Sequence, residues 1–324
     1  MSRRMVALLA LIVIAVVLVV LAGPRVPVDT TVTFDPATIG SDPEAYLAAA
    51  ESRVPGIEPG LQKEIVWADP AAKSRTSLSI VYVHGFSASK GEVRPLPDIV
   101  ARGLGANLFY TRLAGHGQDG AAMATATVNA WINDFAEAVA IGRAIGDEVL
   151  VMATSTGGGI TVWAAANRPE LTDKVKALVL ISPNLGVQAS GAWALTLPWG
   201  GVLADWMTGG TRGFETGNEL QERYWTEVYP TAATLPMAAI TQLAAASPVE
   251  NIRIPTLFVI SDGDKVVRPD ITRRLAARWG APHEIFVVTN AEDPNQHVIA
   301  GDAYSPSATQ PAAEHILAWV RALR

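Results

Sequence analysis

The sequence predicts an α/β protein: a mostly parallel sheet covered on both faces by helices, carrying a helical insertion and preceded by a membrane-spanning helix. Three observations predict it. Strand-like and helix-like segments alternate from Leu78 to the C-terminus. Residues 186–247 break that alternation. Met5 to Ala22 is uninterrupted apolar sequence. Alternating strands and helices imply parallel pairing with crossover helices on both sheet faces. A chain of 324 residues is long enough for one large domain of this kind.

The apolar run would form a helix about 27 Å long, close to the ~30 Å hydrocarbon thickness of a bilayer. Arg3 and Arg4 precede it, which favours a cytoplasmic N-terminus and an exported remainder. The run is longer than the core of a signal peptide, so residues 1–23 are read as a membrane anchor. The alternative is a signal segment cleaved after Val20-Leu21-Ala22, giving a secreted product. Residues 24–60 hold Pro24, Pro27, Pro36, Pro43, Pro55 and Pro59, and read as a linker with at most one short helix near Pro43–Ser52. The main domain is expected over 61–324.

Strands are expected at Leu78–Val83, Asn107–Thr111, Val149–Ala153, Val175–Ile181, Thr256–Ile260 and Ile285–Val288. Helices are expected at Leu96–Arg102, Asn129–Ile145, Gly158–Asn167, Ile271–Trp279 and Pro311–Leu323. In the second of these Trp131, Phe135 and Val139 recur at helical spacing, with Asn129 as the cap. Pro311 is tolerated in a first turn. The insertion carries Trp193, Trp199, Trp206 and Trp225 and no convincing strand. It reads as a helical cap over the carboxyl ends of the strands, where open α/β sheets bind ligands. The four tryptophans are candidate substrate contacts, although for each one taken separately a small core of the cap's own is the favoured account.

Composition narrows the chemistry. The net charge is −6 and the basic residues are scattered, which argues against nucleic acid. There is no cysteine, which excludes disulfides, thiolate metal sites and a thiol nucleophile. The residues that remain favour a serine. Val149 to Ala153 leads into Thr154-Ser155-Thr156-Gly157-Gly158-Gly159, a strand ending in a small-residue turn that opens a helix. Such an elbow exposes a serine hydroxyl for attack. The first glycine of the usual G-x-S-x-G pattern is here Ala153.

A serine nucleophile needs a base, and the base needs an orienting acid. Ser261-Asp262-Gly263-Asp264 follows one strand, and His297 follows the last strand. Serine, acid and histidine thus occur in the order that this arrangement requires, each on a loop at one edge of the sheet. Asp264 is preferred to Asp262, because the turn must leave the strand before the acid can face His297. His283 and His315 read as structural. Val83-His84-Gly85-Phe86 is a strand running into a turn, and the amides of Phe86 and Thr156 are the expected donors to an oxyanion. His84 is expected to hold that loop rather than to act as base.

With these residues in hand, the chain resembles the α/β-hydrolase superfamily, and most of all its monoacylglycerol lipase, lysophospholipase and carboxylesterase branch. The matching features are His84-Gly85-Phe86, Gly115-His116-Gly117, the elbow at Ser155, the turn at Asp264, and His297, spanning roughly residues 76–322. The resemblance implies Ser155 as nucleophile, Asp264 as acid, His297 as base and a cap between two sheet strands. It implies cleavage of small acyl or lipid esters with no metal or organic cofactor, and the anchor adds a membrane as partner. Ala153 and Ser261 depart from the usual glycines. Two other readings follow from the same residues: an amide or peptide hydrolase of the superfamily, and a catalytically silent, membrane-tethered binding protein. Dehalogenase chemistry is disfavoured, since it needs a carboxylate where Ser155 stands.

Overall fold

The computed structural model describes residues 2–323. Among the described residues nine strands occur in chain order: β1 (Glu64–Val66), β2 (Thr76–Val83), β3 (Asn107–Tyr110), β4 (Gly146–Thr154), β5 (Val175–Ile181), β6 (Thr211–Gly213), β7 (Val228–Pro230), β8 (Thr256–Ile260) and β9 (His283–Val287). Seven form one sheet in the order β1-β3-β2-β4-β5-β8-β9. Only the edge strand β1 runs antiparallel, pairing Ile65 with Phe109; the other neighbours are parallel.

The helices are α1 (Arg3–Leu21), α2 (Pro43–Glu51), α3 (Leu96–Leu104), α4 (Gly120–Met123), α5 (Val128–Ile145), α6 (Ser155–Asn167), α7 (Gly200–Thr208), α8 (Glu219–Tyr224), α9 (Thr234–Ala245), α10 (Pro269–Ala276) and α11 (Pro306–Ala322). Successive side chains of a strand point to opposite faces, and the strand sequences obey this on both sides. Val81, Val83, Phe109, Val151, Leu178, Leu180 and Phe258 enter the core under α5 and α6. Ile80, Tyr82, Leu108, Met152, Val179 and Leu257 enter the core under α3 and α11. Both faces are apolar because both are covered, so these strands read as continuous hydrophobic runs.

Several boundaries differ from the sequence expectation, each for a local reason. The cap of α5 is Thr127, whose hydroxyl accepts from the Ala130 amide at 3.0 Å. Asn129 is turned outward and donates to the Thr31 carbonyl at 2.7 Å. Helix α6 begins at Ser155, so the three glycines lie inside it as its third to fifth residues. Helix α11 begins at Pro306, which leaves Pro311 inside it. Pro311 has no amide to give the Ser307 carbonyl, and Asn290 Nδ2 donates to that carbonyl instead, at 3.3 Å.

Residues 24–60 are packed onto the domain rather than free. Asn133 Oδ1 accepts from the amides of Thr33 and Phe34. Ile39 and Leu47 are buried in the main core. Glu51 forms a two-pronged ion pair with the buried guanidinium of Arg112, at 2.8 and 3.0 Å. Prolines in this segment shape turns and start helices, as Pro43 does for α2. The insertion, expected to be mostly helical with no convincing strand, also holds an antiparallel ribbon of β6 and β7, pairing Arg212 with Tyr229. Strands of three residues are too short for periodicity to register, and β1 escaped notice for the same reason.

Glu51→Ala leaves Arg112 charged, buried and unpaired. The expected loss is about 3–5 kcal/mol of unfolding free energy, read by urea denaturation. A loss under about 1 kcal/mol means that the 24–60 segment is dispensable to the domain.

Candidate active site

Ser155 sits where β4 ends and α6 begins, with φ +49°. A non-glycine residue reaches this left-handed region only when its surroundings hold it there. The surroundings are close. A Cβ at Gly157 would collide with the carbonyls of Val83 and His84, so only glycine lets α6 approach β2 here. Ala153 is an ordinary buried strand residue in the core under α5. Its φ is not in the positive range, and nothing at that position demands glycine.

The two other loops converge on the serine. Ser155 Oγ lies 3.1 Å from His297 Nε2, and His297 Nδ1 lies 2.8 Å from Asp264 Oδ2. A carboxylate only accepts, so Nδ1 carries the proton and Nε2 is free to accept from the hydroxyl. Asp264 follows β8 and is buried, its other oxygen accepting from the amides of Val266 and Val267 at 2.8 Å each. Asp262 points away, pairing with Arg273 on the surface at 2.7 Å. The backbone of His297 is pinned from both sides. Its amide and that of Val298 donate to Asp293 Oδ2 at 2.9 and 2.8 Å, and its carbonyl accepts from the Ser182 hydroxyl at 2.8 Å.

The remaining histidines are elsewhere. His315 stacks on Phe286 at 4.0 Å and meets Glu284 at 2.6 Å, and His283 is exposed at the start of β9. His84 is buried beneath the loop. Its Nδ1 donates to the Gly85 carbonyl at 2.8 Å and its Nε2 accepts from the Leu113 amide at 3.0 Å. Burial, with His116 beside it, holds its pKa well below the ordinary value, so it stays neutral.

Ser155, Thr156, Phe86 and His297 line one cavity of about 290 Å³, together with Ser87, Asn184, Trp225 and Tyr229. The Thr156 amide lies in the first turn of α6, where amides have no intrahelical acceptor. Among the described residues the Phe86 amide has no backbone acceptor either. Two unused donors therefore flank the serine. A larger cavity of about 610 Å³ between α2 and β1 is lined by Glu44, Glu51, Lys63 and Glu64. It holds no activated nucleophile, so chemistry and not volume identifies the site.

Sequence reasoning missed Glu92, which lines the same cavity. Its Oε2 accepts from the Gly85 amide at 2.7 Å and the Tyr82 hydroxyl at 2.9 Å. Tyr82 Oη lies 3.0 Å from Thr154 Oγ1. The network ties the Gly85-Phe86 turn to the residue before Ser155. No periodicity marks Glu92, which lies in a loop; a carboxylate seven positions after Gly85 is visible only once the loop folds back. Burial pushes Glu92 up to about 7, against the pull of the Gly85 amide and Tyr82. At His297 burial opposes the imidazolium, but the hydrogen bond and charge of Asp264, aided by Glu92 and Asp293, outweigh it and raise the pKa above the ordinary histidine value.

Of the four cap tryptophans, Trp225 alone lines the catalytic cavity. Trp193, Trp199 and Trp206 do not line it and are exposed. Spacing in the sequence could not tell the inner face of the cap from the outer one.

Residues 74–291 match the family described as Serine aminopeptidase, S33. A curated relative, the thermostable monoacylglycerol lipase of Bacillus sp. (strain H-257), is 26% identical over 202 residues, covering 62% of this chain and 76% of the relative. Among solved structures, one from work on the metagenome-derived lipolytic enzymes LipS and LipT superposes with TM-score 0.65 at 22% identity, covering 82% of this chain and 99% of that one. The Paleococcus ferrophilus monoacylglycerol lipase gives 0.56 at 16% identity, with 82% and 99% covered. A soluble variant of the Saccharomyces cerevisiae monoglyceride lipase gives 0.58 at 11%, with 80% and 90% covered.

Two outcomes are expected from the acids. Asp264→Asn lowers kcat by about 10³–10⁴, while Asp262→Asn stays within about threefold of wild type; steady-state kinetics on a soluble ester compares them, and the reverse ranking assigns the wrong aspartate. A negative Glu92 favours the imidazolium form of His297, so Glu92→Gln lets His297 lose its proton at lower pH. The acid limb of the kcat/KM profile then moves to lower pH, and a limb that stays or moves upward removes Glu92 from this role.

Proposed function

The chain belongs to the serine aminopeptidase, S33 family, a branch of the α/β-hydrolases, and from that premise we propose that it cleaves carboxylic esters through an acyl-enzyme on Ser155. The observation that carries this reading is the hydrogen-bonded series Ser155–His297–Asp264 at 3.1 and 2.8 Å. His297 Nε2 takes the hydroxyl proton as Ser155 Oγ bonds to the ester carbonyl carbon. The carbonyl oxygen gains the negative charge and receives hydrogen bonds from the Phe86 and Thr156 amides. The tetrahedral intermediate collapses, the alkoxy bond breaks, and His297 returns the proton to the leaving alcohol. Water then attacks the acyl-enzyme by the same route, freeing the acid and restoring Ser155.

A lipid-like substrate is favoured by the space beside the serine. An apolar groove of about 560 Å³ runs past Leu185, Ala238 and Ile271 to Trp193. It shares Val187 and Met237 with the catalytic cavity, so an acyl chain bound at Ser155 has an apolar path to follow. Monoacylglycerols and medium-chain acyl esters are the first substrates to try, and monoacylglycerol lipases among the relatives support that choice. The family's own description favours one alternative, hydrolysis of an amide at the N-terminus of a peptide.

Helix α1 is read as an uncleaved anchor that holds the hydrolase domain outside the cytoplasm. Cleavage after Ala22 would instead give a soluble product shorter by about 22 residues, which membrane fractionation and mass distinguish.

Ser155→Ala is expected to lower kcat by at least ~10³ and to abolish labelling by a fluorophosphonate probe. Wild-type protein that takes no label is a silent binding protein, not an enzyme of this kind. p-Nitrophenyl esters should be turned over faster than amino-acid anilides; the opposite order selects the peptide reading.

A further inference from the structure

The outer face of the cap is apolar without a protein partner. From Ala192 to Gly209 the only charged residue is Asp205. Trp193 is 65% exposed, Trp206 80% and Met207 77%, with Leu197, Val202 and Leu203 exposed beside them. On α7 these positions fall at 202, 203, 206 and 207, the i, i+3, i+4 spacing of one helical face. That face looks to solvent, where a monomeric soluble protein rarely shows a contiguous apolar patch of this kind.

The N-terminal helix meets the cap at this face. Trp199 Nε1 donates to the Val19 carbonyl at 2.9 Å, the Trp199 amide donates to the Pro24 carbonyl at 2.9 Å, and the indole covers Gly23, where any Cβ would strike it. Trp199 is the cap residue from which α7 starts. The end of α1 and the start of α7 are therefore held at one level. With a rise of about 1.5 Å per residue, no part of α7 lies more than roughly 14 Å along the chain from that level. Where α1 spans a bilayer, α7 begins where α1 leaves the hydrocarbon, the depth at which tryptophan is enriched.

We propose that α7 and the neighbouring Trp193 turn form a lipid-seating surface that holds the hydrolase domain face-down on the membrane from which α1 emerges. Trp206, Met207, Val202 and Leu203 enter the headgroup boundary, as the apolar side of an interfacial helix does. Trp193, itself exposed, lines the apolar groove that shares Val187 and Met237 with the cavity at Ser155. An acyl chain can then pass from the bilayer into the groove without crossing water. This last step rests on the ester-hydrolase reading; the seating surface itself does not.

The absence of cysteine makes the test direct. Full-length protein carrying Met207→Cys or, at the amino-terminal edge of the sheet, Ala72→Cys is labelled with an environment-sensitive fluorophore and reconstituted in phosphatidylcholine–phosphatidylglycerol vesicles. The expected result is a blue-shifted label at 207, quenched by nitroxide-bearing lipids and sheltered from aqueous iodide, beside a label at 72 with the opposite behaviour. Equal iodide quenching at both sites overturns the proposal. A Trp206→Asp, Met207→Asp double variant should lose about tenfold in the hydrolysis of a long-chain monoacyl ester embedded in vesicles, and keep its rate on soluble p-nitrophenyl butyrate. Equal losses on both substrates overturn the link between surface and groove. If wild-type protein hydrolyses neither substrate, the ester reading fails, while the two labels still decide whether the surface is seated.

Discussion

The left-handed turn at Ser155 is the constraint on which the rest depends. A serine at φ +49° is strained by about 1–3 kcal/mol relative to an ordinary strand or helix residue. The surrounding structure has to hold it there, and it does so from three sides. Gly157 lets α6 lie against the carbonyls of Val83 and His84. The Glu92–Tyr82–Thr154 network fixes the strand just before the turn. Parallel pairing of β2, β4 and β5 aligns the ends of all three strands, Val81 with Val151 and Val151 with Leu178. The same alignment sends every strand-end loop to one edge, which is why an acid after β8 and a histidine after β9 can meet a serine after β4.

Charge in this site is arranged around one histidine. Asp264 satisfies the Nδ1 proton and Glu92 and Asp293 add negative charge at longer range. Burial alone would keep His297 neutral; the acids make its protonated form accessible, as the proposed role of base requires. Glu92 has a second effect through its bond to the Gly85 amide, which orients the turn carrying the Phe86 amide. One carboxylate thus couples His297 to the turn carrying the Phe86 amide, and changing it alters electrostatics and geometry together.

Much of this was legible before any coordinates. The strands β2, β4, β5 and β8 are apolar runs bounded by glycine, proline or polar turns, and parallel topology brings the loops of Ser155, Asp264 and His297 to one edge. What escaped has physical causes. Strands β1, β6 and β7 have three residues each, too few to carry a period of two. Prolines in residues 24–60 suggested a free linker, but anchoring comes from Asn133 and Arg112, which lie far away in sequence. Glu92 and Asp293 act through loop closure, a tertiary event that composition does not encode. The cap tryptophans were named as one group, and only the folded cap separates Trp225, which lines the catalytic cavity, from Trp193 on the neighbouring groove and Trp206 in the open.

That ambiguity has a physical resolution in the cap itself. A tryptophan that lines a pocket is covered by neighbours, as Trp225 is by Tyr304 at 5.2 Å. Trp206 has no such cover and is 80% exposed. Leaving an indole and a methionine side by side in water forgoes roughly 1.5–3 kcal/mol per side chain of burial. A helix can carry that loss in isolation only if it is recovered elsewhere. Here the helix starts from Trp199, which is hydrogen-bonded to the end of a lipid-length apolar helix. On the proposed seating, the surface that is costly in water is tied to the segment that would bring it to lipid, and the exposed tryptophans and the apolar N-terminal helix have a single explanation.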